Sequence, residues 1–219
     1  MTFAGWSQII ILLALVTVSA WALGSYMAAV FTGKRTLLSP ILAPLENSIN
    51  RLAGVSLAEQ NWKTYTLAML AFNAVGFVVL YGLMRLQSFL PLNPQSFAAV
   101  PEALSFNTAM SFVTNTNWQA YSGESTMSHF VQMAGFTVHN FLSAATGIAL
   151  AVAFTRAFVR SSATTIGNFW DDLVKSTIHI LLPLSIIVAI AYMALGIPQT
   201  LHGSIDATTL EGAKQIISY

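Results

Sequence analysis

The 219-residue sequence contains no cysteine and very little charge, with Asp, Glu, Lys and Arg together making up 8% of its residues. Without cysteine, the chain cannot form a disulfide framework, a thiolate metal site or a thiol nucleophile. Soluble domains carry about 25% charged residues, so the scarcity of charge argues against a soluble fold. The net charge is +1 and the nine basic residues are scattered, which gives no indication of a nucleic-acid-binding surface.

Apolar residues are what the sequence has in excess: they make up 55% of it, and the mean hydropathy is +0.67. A soluble domain of this size could not bury so much apolar surface, so we predict an all-α integral membrane protein. Four stretches lack Asp, Glu, Lys and Arg, and each holds an apolar run of the roughly 20 residues that a spanning helix needs: 1–33, 64–84, 125–155 and 176–205. The first lacks the basic start of a signal peptide and its apolar run is too long for one, so we expect a retained helix.

Basic residues alternate between the segments that separate these spans. Residues 31–63 hold four Lys or Arg, residues 85–124 hold one, residues 156–175 hold three, and the tail holds one. The positive-inside rule then predicts that 31–63 and 156–175 are cytoplasmic, with both termini and residues 101–119 outside. Apolar residues in the first cytoplasmic segment recur at helical spacing and predict a short helix in the membrane interface: Ile41, Leu45, Ile49 and Leu52.

The segment 101–119 is predicted to enter the membrane without crossing it. Pro101 suits a first helical turn, and a helix over residues 101–113 would be roughly 20 Å long, whereas the bilayer core is about 30 Å thick. Four uncharged polar residues, Thr-Asn-Thr-Asn, follow at 114–117. A short helix that ends in such a turn is typical of a pore loop, because unpaired backbone at that depth needs protein or water around it. Taken alone, the tetrapeptide also fits an ordinary outside loop.

The residue types at 113–119 suit a monovalent cation. A dehydrated cation needs replacement oxygens from carbonyls and hydroxyls, whereas a carboxylate would bind harder and favour divalent ions. No side chain in this range is ionisable, Thr114 and Thr116 supply hydroxyls, and Asn115 and Asn117 can brace an extended strand by side-chain hydrogen bonds. The negative end of the preceding helix dipole also favours a cation. We therefore predict a filter for a monovalent cation at 114–117.

Small and polar residues form a stripe along the third span, at Gln132, Gly135, His139, Ser143 and Gly147. Two interpretations stay open, because such residues either line an ion path or let neighbouring helices approach closely. In the first, the lining side chains are those of Gln132, His139 and Ser143. His129 and His139 are ten residues apart with no carboxylate nearby, so no transition-metal site is expected.

Four motifs resemble those of a known family. They are SFVTNTNWQAYSGE at 111–124, QMAGFTVHNFLSAATGIALAVAFTRAF at 132–158, NWKTY at 61–65 and LPLNPQ at 90–95. The chain resembles the potassium-binding A subunit of the bacterial Kdp transporter, over nearly all of its own length but only over the N-terminal part of the family pattern. The VTNTNWQ and NFLSAA runs make this resemblance highly specific.

The resemblance implies a fold of the superfamily of K⁺ transporters, in which four helix–pore loop–helix repeats surround one filter. It implies 114–117 as the filter strand of the first repeat, supported by Val113, Trp118 and Gln119. The expected organisation begins with a leading helix (1–33), a cytoplasmic loop with the interfacial helix (34–63) and the first repeat (64–156). A second cytoplasmic loop (157–175), the helix that opens a second repeat (176–197) and an extracytoplasmic tail (198–219) follow.

The resemblance also implies partners and a location. The family works in the bacterial inner membrane with a P-type ATPase B subunit, a C subunit and a small F peptide, and takes up K⁺ at high affinity. The resemblance implies that the B subunit uses ATP, and this sequence offers no Walker-type glycine loop of its own. We expect a non-catalytic subunit with no covalent cofactor, and one pore loop supplies only one side of a filter. The alternatives are a self-assembling pore-loop cation channel and a non-conducting structural membrane subunit.

Overall fold

A computed structural model gives the fold of residues 2–116, 118–160, 163–197 and 200–217. The helices are α1 (Phe3–Phe31), α2 (Ser39–Leu52), α3 (Trp62–Arg85), α4 (Glu102–Val113), α5 (Gly123–Thr126), α6 (Val138–Val159), α7 (Phe169–Lys175) and α8 (Leu182–Ala194). A 3₁₀ turn lies at Gln87–Phe89, and π-helical turns at Val131–Thr137 and Ser176–Leu181 lead into α6 and α8. In the tail, β1 (Ile205–Thr208) pairs antiparallel with β2 (Lys214–Ile217), with Ile205 opposite Ile217.

Within the described residues, four continuous helical segments are long and apolar enough to cross a membrane: Phe3–Phe31, Trp62–Arg85, Val131–Val159 and Phe169–Ala194. They confirm the predicted class, a mostly helical multi-pass membrane protein. The last segment starts at Phe169, inside the stretch that the sequence assigns to a loop. A helix can begin there because its acidic residues have partners: Asp172 lies 2.6 Å from Arg156, and Asp171 lies 2.7 Å from Lys175.

The antiparallel pair α3 and α6 carries two hydrophobic clusters, one at each end. The first joins the C-terminal half of α3 to α4 and the start of the third span, through Leu80, Met84, Val100, Ala109, Met127, Val131 and Phe136. The second joins the start of α3 to the end of α6 and to α7, through Tyr65, Ala145, Ala149, Ala153, Phe169 and Leu173. We call these the α4 end and the basic end of the bundle.

Close approach of the two helices depends on a glycine in the first π-helical turn. A Cβ atom added to Gly135 would lie 2.9 Å from Cδ1 of Leu80, nearer than real Cβ contacts come. The third span therefore packs backbone against side chain at this point, as membrane helices with small interface residues do.

The first span and α2 attach to the bundle at the basic end. α1 is exposed along most of its length and buries only Val30, but the Tyr26 hydroxyl donates to the backbone oxygen of His179 at 2.9 Å. On α2, the Glu46 carboxylate lies 2.7 Å from Nε2 of the same histidine. The second π-helical turn thus holds both elements.

Candidate functional site

The end of α4 is a Schellman turn. The Thr116 amide donates to the Ser111 carbonyl at 3.1 Å, and the Asn115 amide donates to the Phe112 carbonyl at 3.3 Å. Asn115 has φ +55°, a left-handed conformation that asparagine tolerates better than most side chains. The helix therefore stops after Val113 and the chain turns back.

α4 is too short to cross a bilayer. It has 12 residues, which at 1.5 Å per residue gives about 18 Å against a hydrocarbon core of about 30 Å. It lies between the second and third spans, and its small residues face the bundle: Ser105, Thr108, Ala109 and Ser111 are buried. Its C-terminus is thus an exposed turn supported from one side by protein.

The predicted filter residues form this turn. Thr114 and Asn115 are not extended, because they supply the two capping conformations that end the helix. The Thr114 hydroxyl donates to the Met110 carbonyl at 2.7 Å and lies 3.3 Å from the Thr116 hydroxyl. The Asn115 side chain makes no hydrogen bond to a described residue, so its observed contribution is backbone conformation. Asn117 lies outside the described residues.

The turn leaves three backbone carbonyls without a hydrogen-bond donor among the described residues. Thr114, Asn115 and Thr116 are all exposed, and their carbonyls accept no hydrogen bond from any residue that the structure describes. Such oxygens are the ligands that a dehydrated monovalent cation requires. The arrangement can therefore present one wall of a cation site.

The three residues predicted to support the filter lie on either side of the turn and make different contacts. The Ser111 hydroxyl donates to the Trp118 carbonyl at 2.8 Å, which ties the returning chain to α4. The Gln119 side-chain amide donates to the Tyr121 carbonyl at 2.7 Å. Val113 is half-buried and faces a cleft of about 190 Å³ between α3 and α6.

The three predicted lining residues of the third span do not share one environment. The Gln132 side-chain amide donates to the Met127 carbonyl at 2.9 Å and braces the loop before the span. The two ring nitrogens of His139 lie 2.9 Å from the Gly76 carbonyl and 3.0 Å from the Gly135 carbonyl, so this buried ring connects α6 to α3. Ser143 shares the 190 Å³ cleft with His139. That these side chains line an ion path stays a prediction.

Gln87 is the residue of this region that the sequence did not single out. Its amide nitrogen donates to the Ala98 carbonyl at 2.6 Å and the Thr126 carbonyl at 3.0 Å, and its oxygen accepts from the Ser128 amide at 3.1 Å. The side chain is 1% exposed. It joins the chain segment before α4 to the segment after the turn, and a glutamine after a span gives no sequence signal of this role.

Two further contacts position the start and the return of the α4 loop. The Arg85 guanidinium donates to the Val100 carbonyl at 2.5 Å and lies 3.2 Å from the Glu102 carboxylate, at the first turn of α4. The Tyr121 ring packs against Phe136 with ring centroids 5.5 Å apart, and burial raises the pKa of its hydroxyl to about 12. Tyr121 is therefore neutral near pH 7 and adds no charge beside the turn.

In the described part of the chain, no three His, Asp or Glu side chains come together, so no cluster there could ligate a transition metal. What the turn offers is oxygen from amides and hydroxyls, which suits alkali-metal cations better than ions that need nitrogen or sulfur.

Comparison with known proteins gives one consistent result. The profile of the family described as "Potassium-transporting ATPase A subunit" matches residues 10–219. The chain is 61% identical over 219 residues to the "Potassium-transporting ATPase potassium-binding subunit" of Allorhizobium ampelinum, and 56% and 55% identical to the proteins of that name from Mesorhizobium japonicum and Rhizobium rhizogenes. All of the chain is covered in each case, but only 38%, 39% and 39% of these relatives. The chain thus spans about two fifths of their length.

Proposed function

This chain belongs to the family of potassium-transporting ATPase A subunits, and from that premise we propose that it binds and translocates K⁺ as part of an ATP-driven, high-affinity uptake complex. It contributes one pore loop to the selectivity filter. Residues 64–156 form one helix–pore loop–helix repeat, with α4 as the pore helix and 114–117 as the filter segment.

The observation that carries this proposal is the exposed Schellman turn at the end of the short helix α4. The helix dipole directs its negative end toward this turn, and the carbonyls of Thr114, Asn115 and Thr116 are available to a cation. No side chain in residues 113–119 carries a charge that would trap the ion or attract divalent ions. Val113, Trp118 and Gln119 hold the turn in position.

The remaining oxygen donors come from outside this pore loop. A filter surrounds its ion, and one turn supplies donors from one side only. In this proposal three further pore loops complete the ring. The printed names of the relatives describe a subunit of a potassium-transporting ATPase, which supports assembly with other subunits.

The chain acts in the bacterial inner membrane as a non-catalytic subunit. The B subunit hydrolyses ATP, and the C subunit and the small F peptide complete the complex. The distribution of Lys and Arg supports an orientation with the basic end in the cytoplasm and the α4 end outside.

A chimera tests the function directly. The 219 residues would replace the aligned part of the Allorhizobium ampelinum potassium-binding subunit, expressed with that organism's other pump subunits in cells that lack their own K⁺ uptake. We expect growth and ⁸⁶Rb⁺ uptake at micromolar K⁺, and loss of both when 114–117 are replaced by four alanines. The proposal fails if the chimera assembles but the alanine variant transports equally well.

An experiment on the purified 219-residue chain distinguishes this function from that of a self-assembling channel. Reconstituted alone in planar bilayers, it should give no K⁺ current, because one pore loop does not enclose an ion. A K⁺-selective current from the isolated chain, abolished by the alanine variant, would favour a pore made of several copies.

A further inference from the structure

A cleft of about 620 Å³ opens at the basic end, where the first span ends and α2 begins. Its wall includes Lys34, Arg35 and Ser39 from the junction between these helices, and Lys175 and His179 from the last span. The cleft therefore lies between the first and the last membrane-spanning segments, next to the C-terminal end of the first.

The wall carries an excess of positive charge. Lys34 and Arg35 form no ion pair with any charged side chain that the structure describes. Lys175 already has a carboxylate partner, and Glu46, the acidic residue on the wall, is occupied by His179 at 2.7 Å. Two cationic groups thus remain without a counter-charge, beside the hydroxyls of Thr36 and Ser39.

Two other basic residues at this end are paired and provide an internal contrast, whereas Arg51 and Lys63 form no ion pair with a described side chain but lie off the wall of this cleft. Arg156 and Arg160 line a neighbouring cleft of about 600 Å³, and both are bound to carboxylates, at 2.6 Å to Asp172 and 2.9 Å to Glu59. Structural pairing explains those residues. It leaves Lys34 and Arg35 unexplained.

Apolar side chains beside the cleft indicate what kind of anion would bind. Leu37 and Ile41 flank the lining residues in the sequence and are 92% and 74% exposed, and the exposed apolar surface of α1 leads up to the same place. A free inorganic anion gains nothing from these surfaces, whereas the acyl chains of a lipid would cover them.

We propose that this cleft binds the phosphate headgroup of an anionic phospholipid, with Lys34 and Arg35 as its charge partners and the acyl chains against α1 and the start of α2. Basic pockets between membrane helices are known to bind such headgroups. The site lies at the basic end, away from the α4 turn, and does not depend on the proposed function.

Lipid binding can be measured on the purified chain. Native mass spectrometry in detergent would compare the occupancy of added phosphatidylglycerol with that of phosphatidylcholine. We expect a clear preference for phosphatidylglycerol in the unchanged chain, falling about five-fold for each of Lys34→Gln and Arg35→Gln, as for the loss of one basic contact near an anionic headgroup. The matched control is Arg51→Gln with Lys63→Gln, which removes the same charge from the same end without touching the cleft wall.

Three results would overturn the proposal. The preference could survive in the Lys34→Gln and Arg35→Gln double variant, or the control pair could reduce it equally, which would indicate general attraction rather than a site. Millimolar inorganic phosphate could also displace the lipid, in which case the cleft would be a site for a free anion. Size-exclusion chromatography and far-ultraviolet circular dichroism of each variant would verify that the altered chain is folded.

Discussion

The two ends of the α3–α6 bundle are stabilised by different chemistry. At the α4 end, the fully buried contacts that hold the loop are neutral, such as the Gln87 amide on backbone groups, and the ion pair of Arg85 with Glu102 lies toward the exposed side. At the basic end, charged pairs hold the helices, and the most buried is Arg156 with Asp172. A charge buried near the proposed cation filter would change which ions it attracts, so neutral buried bonds agree with that proposal.

The basic end lies away from the α4 turn, and charged side chains connect its helices. The Arg156 guanidinium binds both Asp172 oxygens, at 2.6 and 2.8 Å, and also donates to the Ile166 carbonyl at 3.2 Å. The Tyr65 hydroxyl adds a bond of 3.1 Å to the same carboxylate and one of 2.9 Å to the Ala149 carbonyl. One aspartate thereby joins α3, α6 and α7, and every charge in the cluster has a partner.

The largest effect should come from breaking this cluster. Asp172→Ala leaves Arg156 buried without its counter-charge, and we expect a loss of about 3–5 kcal/mol in the free energy of unfolding, measured by denaturant titration in detergent micelles. Arg160→Gln breaks the exposed pair with Glu59 and should cost less than about 1 kcal/mol. Equal losses in the two variants would mean that burial does not distinguish these pairs.

A double replacement sharpens the same point. Arg156→Met combined with Asp172→Leu removes both charges and should recover much of the stability lost in Asp172→Ala, because no unpaired charge remains. If the double variant is no more stable than the single one, the bonds to Ile166 and Tyr65 matter more than the charge pair.

At the α4 end, Gln87→Leu tests whether neutral hydrogen bonds hold the α4 loop in position. The variant leaves the Ala98 and Thr126 carbonyls and the Ser128 amide without their partner, and we expect a loss of about 1–3 kcal/mol in unfolding free energy. In the chimera, the KM for K⁺ should rise more than the maximal rate falls, because the proposed function assigns the ion ligands to this loop. Gln95→Leu, which loses one bond of 3.3 Å in the same loop, is the control and should leave KM near its original value.

Substitutions of Asn115 separate the effect of backbone conformation from the effect of charge in the turn that we propose as the filter. Asn115→Gly keeps the left-handed conformation and should preserve K⁺ uptake in the chimera, whereas Asn115→Val should lower stability by about 1–2 kcal/mol, because a β-branched side chain is strained at φ +55°. Asn115→Asp places a full charge beside the carbonyls and should weaken discrimination against divalent ions. An unchanged ion preference in Asn115→Asp, measured by competition of Ba²⁺ with ⁸⁶Rb⁺ uptake, would remove this residue from the site.

The short helix and the polar turn at the α4 end could be predicted from the sequence because their signals are local. Pro101 and the polar run at 114–117 are adjacent to the helix that they delimit. It did not foresee the Schellman turn, since the same residues also fit an extended strand. Gln87 was missed because its three partners lie 11, 39 and 41 residues away, where only the folded chain brings them together.

The basic end shows the opposite difficulty. The charges at Asp171, Asp172 and Lys175 led the sequence analysis to open the last span at residue 176, whereas the helix itself already begins at Phe169. Pairing across the fold cancels that cost, because Arg156 arrives from another helix. Charge gaps therefore give the existence of a span more securely than its ends.

The smallest expected effect concerns the exposed rim of the basic end. The hydrogen bond from Thr165, followed by that from Arg160, lowers the pKa of Glu59 below its ordinary value of 4.5. The folded state thus binds this proton less readily than the unfolded state, so the contribution of Glu59 to stability is present above pH 4.5 and is lost as the pH falls through the lowered pKa. The melting temperature of Glu59→Gln should lie slightly below that of the unchanged chain at pH 7, and the difference should shrink toward pH 3. A difference that stays constant with pH would assign the effect to the shape of the side chain and not to its charge.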